Sequence, residues 1–110
     1  MLGRKVTILG GGNTAFSVAA RLAHMGNSIC LLEHPDFMES ISEIMVTKTI
    51  NLEGVLETGP ATIDKITLDP LEALEFSDLL LLIVPAYAHK PFAELCGPYL
   101  TEDHTVVIMP

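Results

Sequence analysis

A doubly wound α/β fold of three layers, with helices on both faces of a parallel sheet, is predicted for this 110-residue sequence by three observations. A short apolar run meets three glycines, Gly10 to Gly12; a helical period begins directly after them; and a second apolar run closes on Glu33. Strand, helix and strand in about 30 residues make a βαβ unit, whose right-handed crossover sets the two strands parallel in a buried sheet.

The elements follow in order. Lys5 to Leu9 is apolar and β-branched, as a buried strand requires. Ala15, Val18, Ala19, Leu22 and Ala23 then recur at helical spacing, with Asn13 as the expected N-cap and Gly26 suited to the left-handed position past the C-terminus. Ser28 to Leu32 is the second strand, with Pro35 just beyond. Asp36 to Lys48 has no clean period and is expected to be loop with a short helix or strand. Thr49 to Thr58, with Ile50, Leu52, Val55 and Leu56 around Gly54, is expected to form a small hairpin or two short edge strands. Lys65 to Leu68 reads as a third sheet strand, followed by a short helix that Asp69-Pro70 opens. Leu79 to Val84 is the most apolar run, and continuous apolarity fits a central strand covered on both faces. A helix over Lys90 to Leu100, with Phe92, Leu95 and Cys96 inward, and a strand over Thr105 to Met109 complete the chain.

The composition bounds the function. At 11.9 kDa the chain holds one domain, residues 1–110, and its 49% apolar and 18% charged residues can build a real core. A formal charge of −8 has the wrong sign for a nucleic-acid backbone or an anionic membrane surface. Leu79 to Ala88 is interrupted by Pro85 and is about half of what a membrane-spanning helix needs. Val6 to Leu9 is too short for a signal-peptide core, so a cytoplasmic, soluble protein is expected. Cys30 and Cys96, in apolar strand and helix patterns, read as reduced core thiols. His24, His34, His89 and His104 form no helical ligand pair, so no metal site is expected, and no nucleophile stands out: Ser17 is outside any nucleophile elbow.

Chemistry concentrates at Gly10-Gly11-Gly12-Asn13-Thr14-Ala15, a G-x-G-x-x-A match between a strand and a helix, which makes the fold Rossmann-type. Gly10 permits the turn, Gly12 lets a pyrophosphate approach the backbone, and the small Ala15 lets helix and strand pack closely. The helix N-terminus offers free N–H groups to the phosphates. Glu33, 23 positions after Gly10, ends the second strand where an acid can accept from the adenosine ribose. A carboxylate there repels the 2′-phosphate of NADP, so NAD is the expected cofactor. The alternative is a bare structural turn with Glu33 a solvated strand end; strand, glycines, helix and acid in register favour the cofactor. FAD-binding domains share most of this pattern, but Ala15 replaces their third glycine and Leu79 to Val84 runs into Pro85-Ala86-Tyr87-Ala88-His89, not into a meander. That loop lies over the crevice at the carboxyl end of a central strand.

The string Val6 to Ala15, with Val84-Pro85-Ala86-Tyr87-Ala88-His89 downstream, resembles the N-terminal domain of the octopine/nopaline (opine) dehydrogenase family, within a wider group that includes NAD-dependent glycerol-3-phosphate dehydrogenase and ketopantoate reductase. The resemblance implies an oxidoreductase that reductively couples an amino acid to a 2-oxo acid, with NAD(P)H as hydride donor. It implies that Gly10, Gly12, Asn13, Thr14 and Ala15 hold the pyrophosphate, that Glu33 holds the adenosine ribose, and that Val84, Pro85 and Ala86 line the ribose and nicotinamide side. His89 matches the family's Ala-His step, although a solvated histidine at a helix start fits it equally.

Opine dehydrogenases carry their catalytic residues in a second, helical domain that these 110 residues do not contain, so no catalytic residue is expected here and the chain alone is expected to be inactive. Its small-molecule partners, the amino acid and the 2-oxo acid, would meet the cofactor only in the longer protein. The competing class is a non-catalytic NAD-sensing module, like the regulatory nucleotide-binding domains of potassium transport systems. The Val84 to His89 loop favours the dehydrogenase.

Overall fold

A computed structural model describes residues 3–41, 49–52 and 59–109. Strand β1 (Lys5–Leu9) leads through the glycines into α1 (Asn13–His24), and β2 (Ser28–Leu32) follows. After a 3-10 segment (Pro35–Ile41) come β3 (Thr49–Leu52), β4 (Gly59–Thr62), β5 (Lys65–Thr67), α2 (Pro70–Phe76), β6 (Leu79–Leu82), α3 (His89–Cys96) and β7 (Thr105–Ile108). The main sheet has the order β5-β2-β1-β6-β7, and every pairing in it is parallel. The fold is the three-layer, doubly wound Rossmann-type sheet.

Why the strands are apolar along their whole length follows from period-two alternation between two covered faces. Val6, Ile8, Ile29, Leu31 and Leu81 pack into the layer that holds Ala15, Ala19 and Ala20 of α1. Leu9, Cys30, Leu32, Leu80 and Leu82 turn the other way, onto Ala73 and Leu74 of α2 and Phe92 and Cys96 of α3. Thr7, fully buried on that second face, donates its hydroxyl to the Ala73 carbonyl at 2.9 Å and ties α2 to the central strand.

Several expectations need correction. Gly12, not Asn13, is the N-cap of α1; it offers no side-chain acceptor, and Asn13 is the first helical residue. The other end matches: Gly26 has φ +92°, and the N–H groups of Gly26 and Asn27 donate to the Ala23 and Leu22 carbonyls, a Schellman closure. Thr49–Leu52 pairs antiparallel with Gly59–Thr62, so the second arm of the hairpin lies beyond Thr58, with Pro60 admitted because the two-stranded sheet is all edge. The expected centre at Gly54, with Val55 and Leu56, lies outside the described residues, as do residues 42–48.

Strand β6 stops at Leu82, two residues early, and α3 gives way after Cys96 to a 3-10 turn, Gly97–Tyr99, at Pro98. On β7 every residue is exposed, with Ile108 60% accessible. No helix among the described residues is long and apolar enough to cross a membrane.

Candidate functional site

Chain order in the sheet reverses between β1 and β6: β2 lies to one side of β1, β6 to the other, and the connections leave in opposite directions. In an open parallel sheet that reversal opens a crevice outside the carboxyl ends of the two strands. Two adjoining cavities occupy it, of about 500 and 290 Å³, and Gly12, Ile83, Val84 and Pro85 line both.

Of the glycine turn, Gly11 lines the larger cavity and Gly12 lines both. Gly10, at φ +138°, donates its N–H to the Leu32 carbonyl at 2.9 Å. A Cβ built on it would run into the Ile83 carbonyl oxygen and come within 2.9 Å of Val84 Cγ1. Gly10 therefore works by letting the turn close against the end of β6. Gly12 is the opposite case, because a Cβ there would meet nothing within 4 Å. The space beside its backbone is open to the crevice, which is what a ligand phosphate at a helix N-terminus needs.

Asn13, Thr14 and Ala15 line the smaller cavity beside the first turn of α1, whose N–H groups lack partners within the helix. Ala15 is at the same time fully buried and packs in the core, so its small side chain sets the distance between α1 and the sheet.

Glu33 lines the larger cavity. It is only 4% exposed, so it is not a solvated strand end. Its N–H donates to the Thr67 carbonyl at 3.2 Å, carrying the β2–β5 pairing one residue further, and its Oε1 accepts from the His34 N–H at 2.8 Å. Neighbouring β5 is braced in turn, since the Thr67 hydroxyl donates to Glu72 Oε1 at 2.6 Å. Asp36 and Glu39 bring two further carboxylates to the same cavity, and no lysine or arginine lines either cavity among the described residues.

On the β6 side, half-buried Val84 and exposed Pro85 line both cavities. Ala86 is exposed in a 3-10 turn and His89 is half-buried at the start of α3; neither is among the lining residues. The walls also include residues that sequence patterning missed. Phe37 sits in the segment without a period, and Tyr87 sits in the loop already expected over the crevice, where an aromatic in a ligand-facing loop was the available signal.

The two cysteines are core thiols in the structure, both buried. Burial pushes the Cys30 thiol up to about 12 and the Cys96 thiol up to about 11, so both stay protonated near neutrality. No group of three metal-ligating side chains occurs among the described residues.

Dehydrogenases are among the known proteins that this chain resembles. Residues 5–109 match the family model described as NADP oxidoreductase, coenzyme F420-dependent. An opine dehydrogenase of Haliotis discus hannai is 32% identical over 97% of this chain, which covers 29% of that protein. A glycerol-3-phosphate dehydrogenase [NAD(P)+] of Bacillus subtilis is 29% identical over 94% of the chain, again covering 29% of the relative. Among solved structures, an octopine dehydrogenase in complex with NADH and agmatine superposes with a TM-score of 0.78 at 26% identity, over 96% of this chain and 28% of that one. The chain thus spans less than a third of the relatives it matches.

Proposed function

The chain belongs to the NADP oxidoreductase, coenzyme F420-dependent family, as a dinucleotide-binding domain similar to that of opine dehydrogenases, and from that premise we propose that it is the NAD-binding part of an opine-type dehydrogenase. In this reading the whole protein reductively couples an amino acid to a 2-oxo acid, and a further domain carries the substrate-binding and catalytic residues. The observation that carries it is one continuous crevice with the open backbone of Gly12 and the α1 N-terminus at one end and buried Glu33 at the other.

Each of the chain's own groups has a part. The backbone of Gly12 and the first turn of α1, with Asn13, Thr14 and Ala15, hold the pyrophosphate. Glu33 accepts from the adenosine ribose hydroxyls. Val84 and Pro85 exclude water along the ribose and nicotinamide side; Ala86 and His89 stand past the cavity walls, and the assignment rests on the others. NADH, when bound, supplies the hydride; the domain fixes where it is presented.

Although the family's description names NADP, the carboxylates of Glu33, Asp36 and Glu39, with no lysine or arginine lining the cavity among the described residues, support NAD in this chain, since a 2′-phosphate would meet like charge. Free, buried Cys30 and Cys96 fit the reducing cytoplasm. The dehydrogenase relatives favour the enzyme over a sensing module.

The test is a turnover assay on the longer protein. NADH should be consumed when a 2-oxo acid and an amino acid are supplied together, and not with either alone. Consumption with a lone 2-oxo acid or with a phosphorylated ketone would move the chain to the ketopantoate reductase or glycerol-3-phosphate branch.

A further inference from the structure

Wherever the structure describes a lysine or an arginine, it stands away from the walls of the crevice. Arg4 and Lys5 line a separate cavity of about 330 Å³ with Glu75 and Asp78. Arg21 belongs to the last turn of α1, and Lys65 is taken by Glu72 at 3.1 Å. Lys90, exposed on α3, lines neither cavity of the crevice. Among the described residues the smaller cavity has uncharged walls, and the larger has the carboxylates of Glu33, Asp36 and Glu39. Around both stands a chain of formal charge −8.

A pyrophosphate in this crevice therefore meets attraction and repulsion of different range. The N–H groups in the first turn of α1, a turn without an acid, hold it by hydrogen bonds made at contact. The net charge repels it at a distance, and salt screens that long-range part first. The Debye length falls from about 30 Å at 0.01 M salt to about 8 Å at 0.15 M. Against a radius of gyration of 12.9 Å, the whole chain is felt at the lower salt and only the nearest charges at the higher.

Resting on the reading that the crevice takes a dinucleotide, we propose that ionic strength regulates its loading: the crevice binds the anionic cofactor against the chain's own field, and NADH affinity rises as salt is added. A site that gripped pyrophosphate with lysine or arginine would do the opposite, because salt weakens attraction as it weakens repulsion. Glu33 acts separately from this field. It is 4% exposed, and a buried charge facing a 2′-phosphate is screened much less, so NADH stays preferred over NADPH at high salt while both bind more tightly.

The test is calorimetric titration of the chain with NADH at about 10 mM and about 150 mM sodium chloride, the two regimes of screening. The dissociation constant should be about three-fold smaller or less at the higher salt. The oxidised cofactor has the same pyrophosphate and ribose groups and one negative charge fewer, so its affinity should rise less steeply. Asp36→Lys reverses a charge on a side chain that is 81% exposed, where the fold asks nothing of it. This variant should bind NADH more tightly than wild type at the lower salt and gain less from added salt. NADH affinity that is flat or falls with salt, an equal rise for both redox forms, or an unaltered salt response in Asp36→Lys would overturn the proposal. Absence of NADH binding at either salt would instead overturn the dinucleotide reading beneath it.

Discussion

Gly10 and Ile83 meet so closely that a Cβ on the glycine would collide with the Ile83 carbonyl oxygen. The contact joins the turn after β1 to the end of β6, the two strands that frame the crevice. The Ile83 N–H also donates to the Leu9 carbonyl at 3.0 Å, so the approach is pinned from both sides.

Gly10→Ala should therefore destabilise the fold. The substitution adds a side chain at φ +138° and drives its Cβ into the Ile83 carbonyl, each costing about 1–3 kcal/mol, so the loss should be about 2 kcal/mol or more. Urea denaturation of the variant is the check, and unchanged stability would contradict the close approach.

Gly12→Val separates ligand binding from folding. The backbone there, φ −90° and ψ 179°, suits any residue, and a Cβ meets nothing, so stability should stay within about 1 kcal/mol of wild type, the scale of an N-cap change. The added side chain fills the space a pyrophosphate needs, so NADH affinity should fall at least about ten-fold. Paired denaturation and calorimetry decide it: a folded variant with full NADH affinity would reduce the glycines to a turn.

What could be read from the sequence tracks how local the cause is. The G-x-G-x-x-A turn, the helical face from Ala15 to Ala23 and the apolar runs of β1, β2 and β6 are legible because each is set by neighbours a few residues apart. Glu33 is legible as a position, at the end of β2, but its burial is not, because that depends on β5 bringing the Thr67 carbonyl to its N–H. Phe37 and Tyr87 stand 50 positions apart and become neighbours only through the parallel sheet. The same holds for the partner of β3, which follows a stretch too long for a tight-turn signal to mark.

The two cysteines predict an alkaline limb of stability. Burial raises Cys30 from its ordinary 9.0 to about 12 and Cys96 to about 11, so above pH 9 the unfolded chain loses thiol protons that the folded chain keeps. The folded state then binds more protons, and stability must fall as pH rises from 9 toward 12. Replacing both residues with alanine should flatten this limb when denaturation midpoints are compared across that window. An unchanged slope would mean that the thiols ionise where they sit.

The central claim is that the crevice binds NAD with Glu33 on the adenosine ribose, and its most direct test is calorimetric titration of the chain with NADH and with NADPH. Like charge between the 2′-phosphate and a buried carboxylate costs several kcal/mol, so NADH should bind at least about ten-fold tighter. Glu33→Ala should narrow that gap. Equal or tighter binding of NADPH by the wild-type chain would contradict the account.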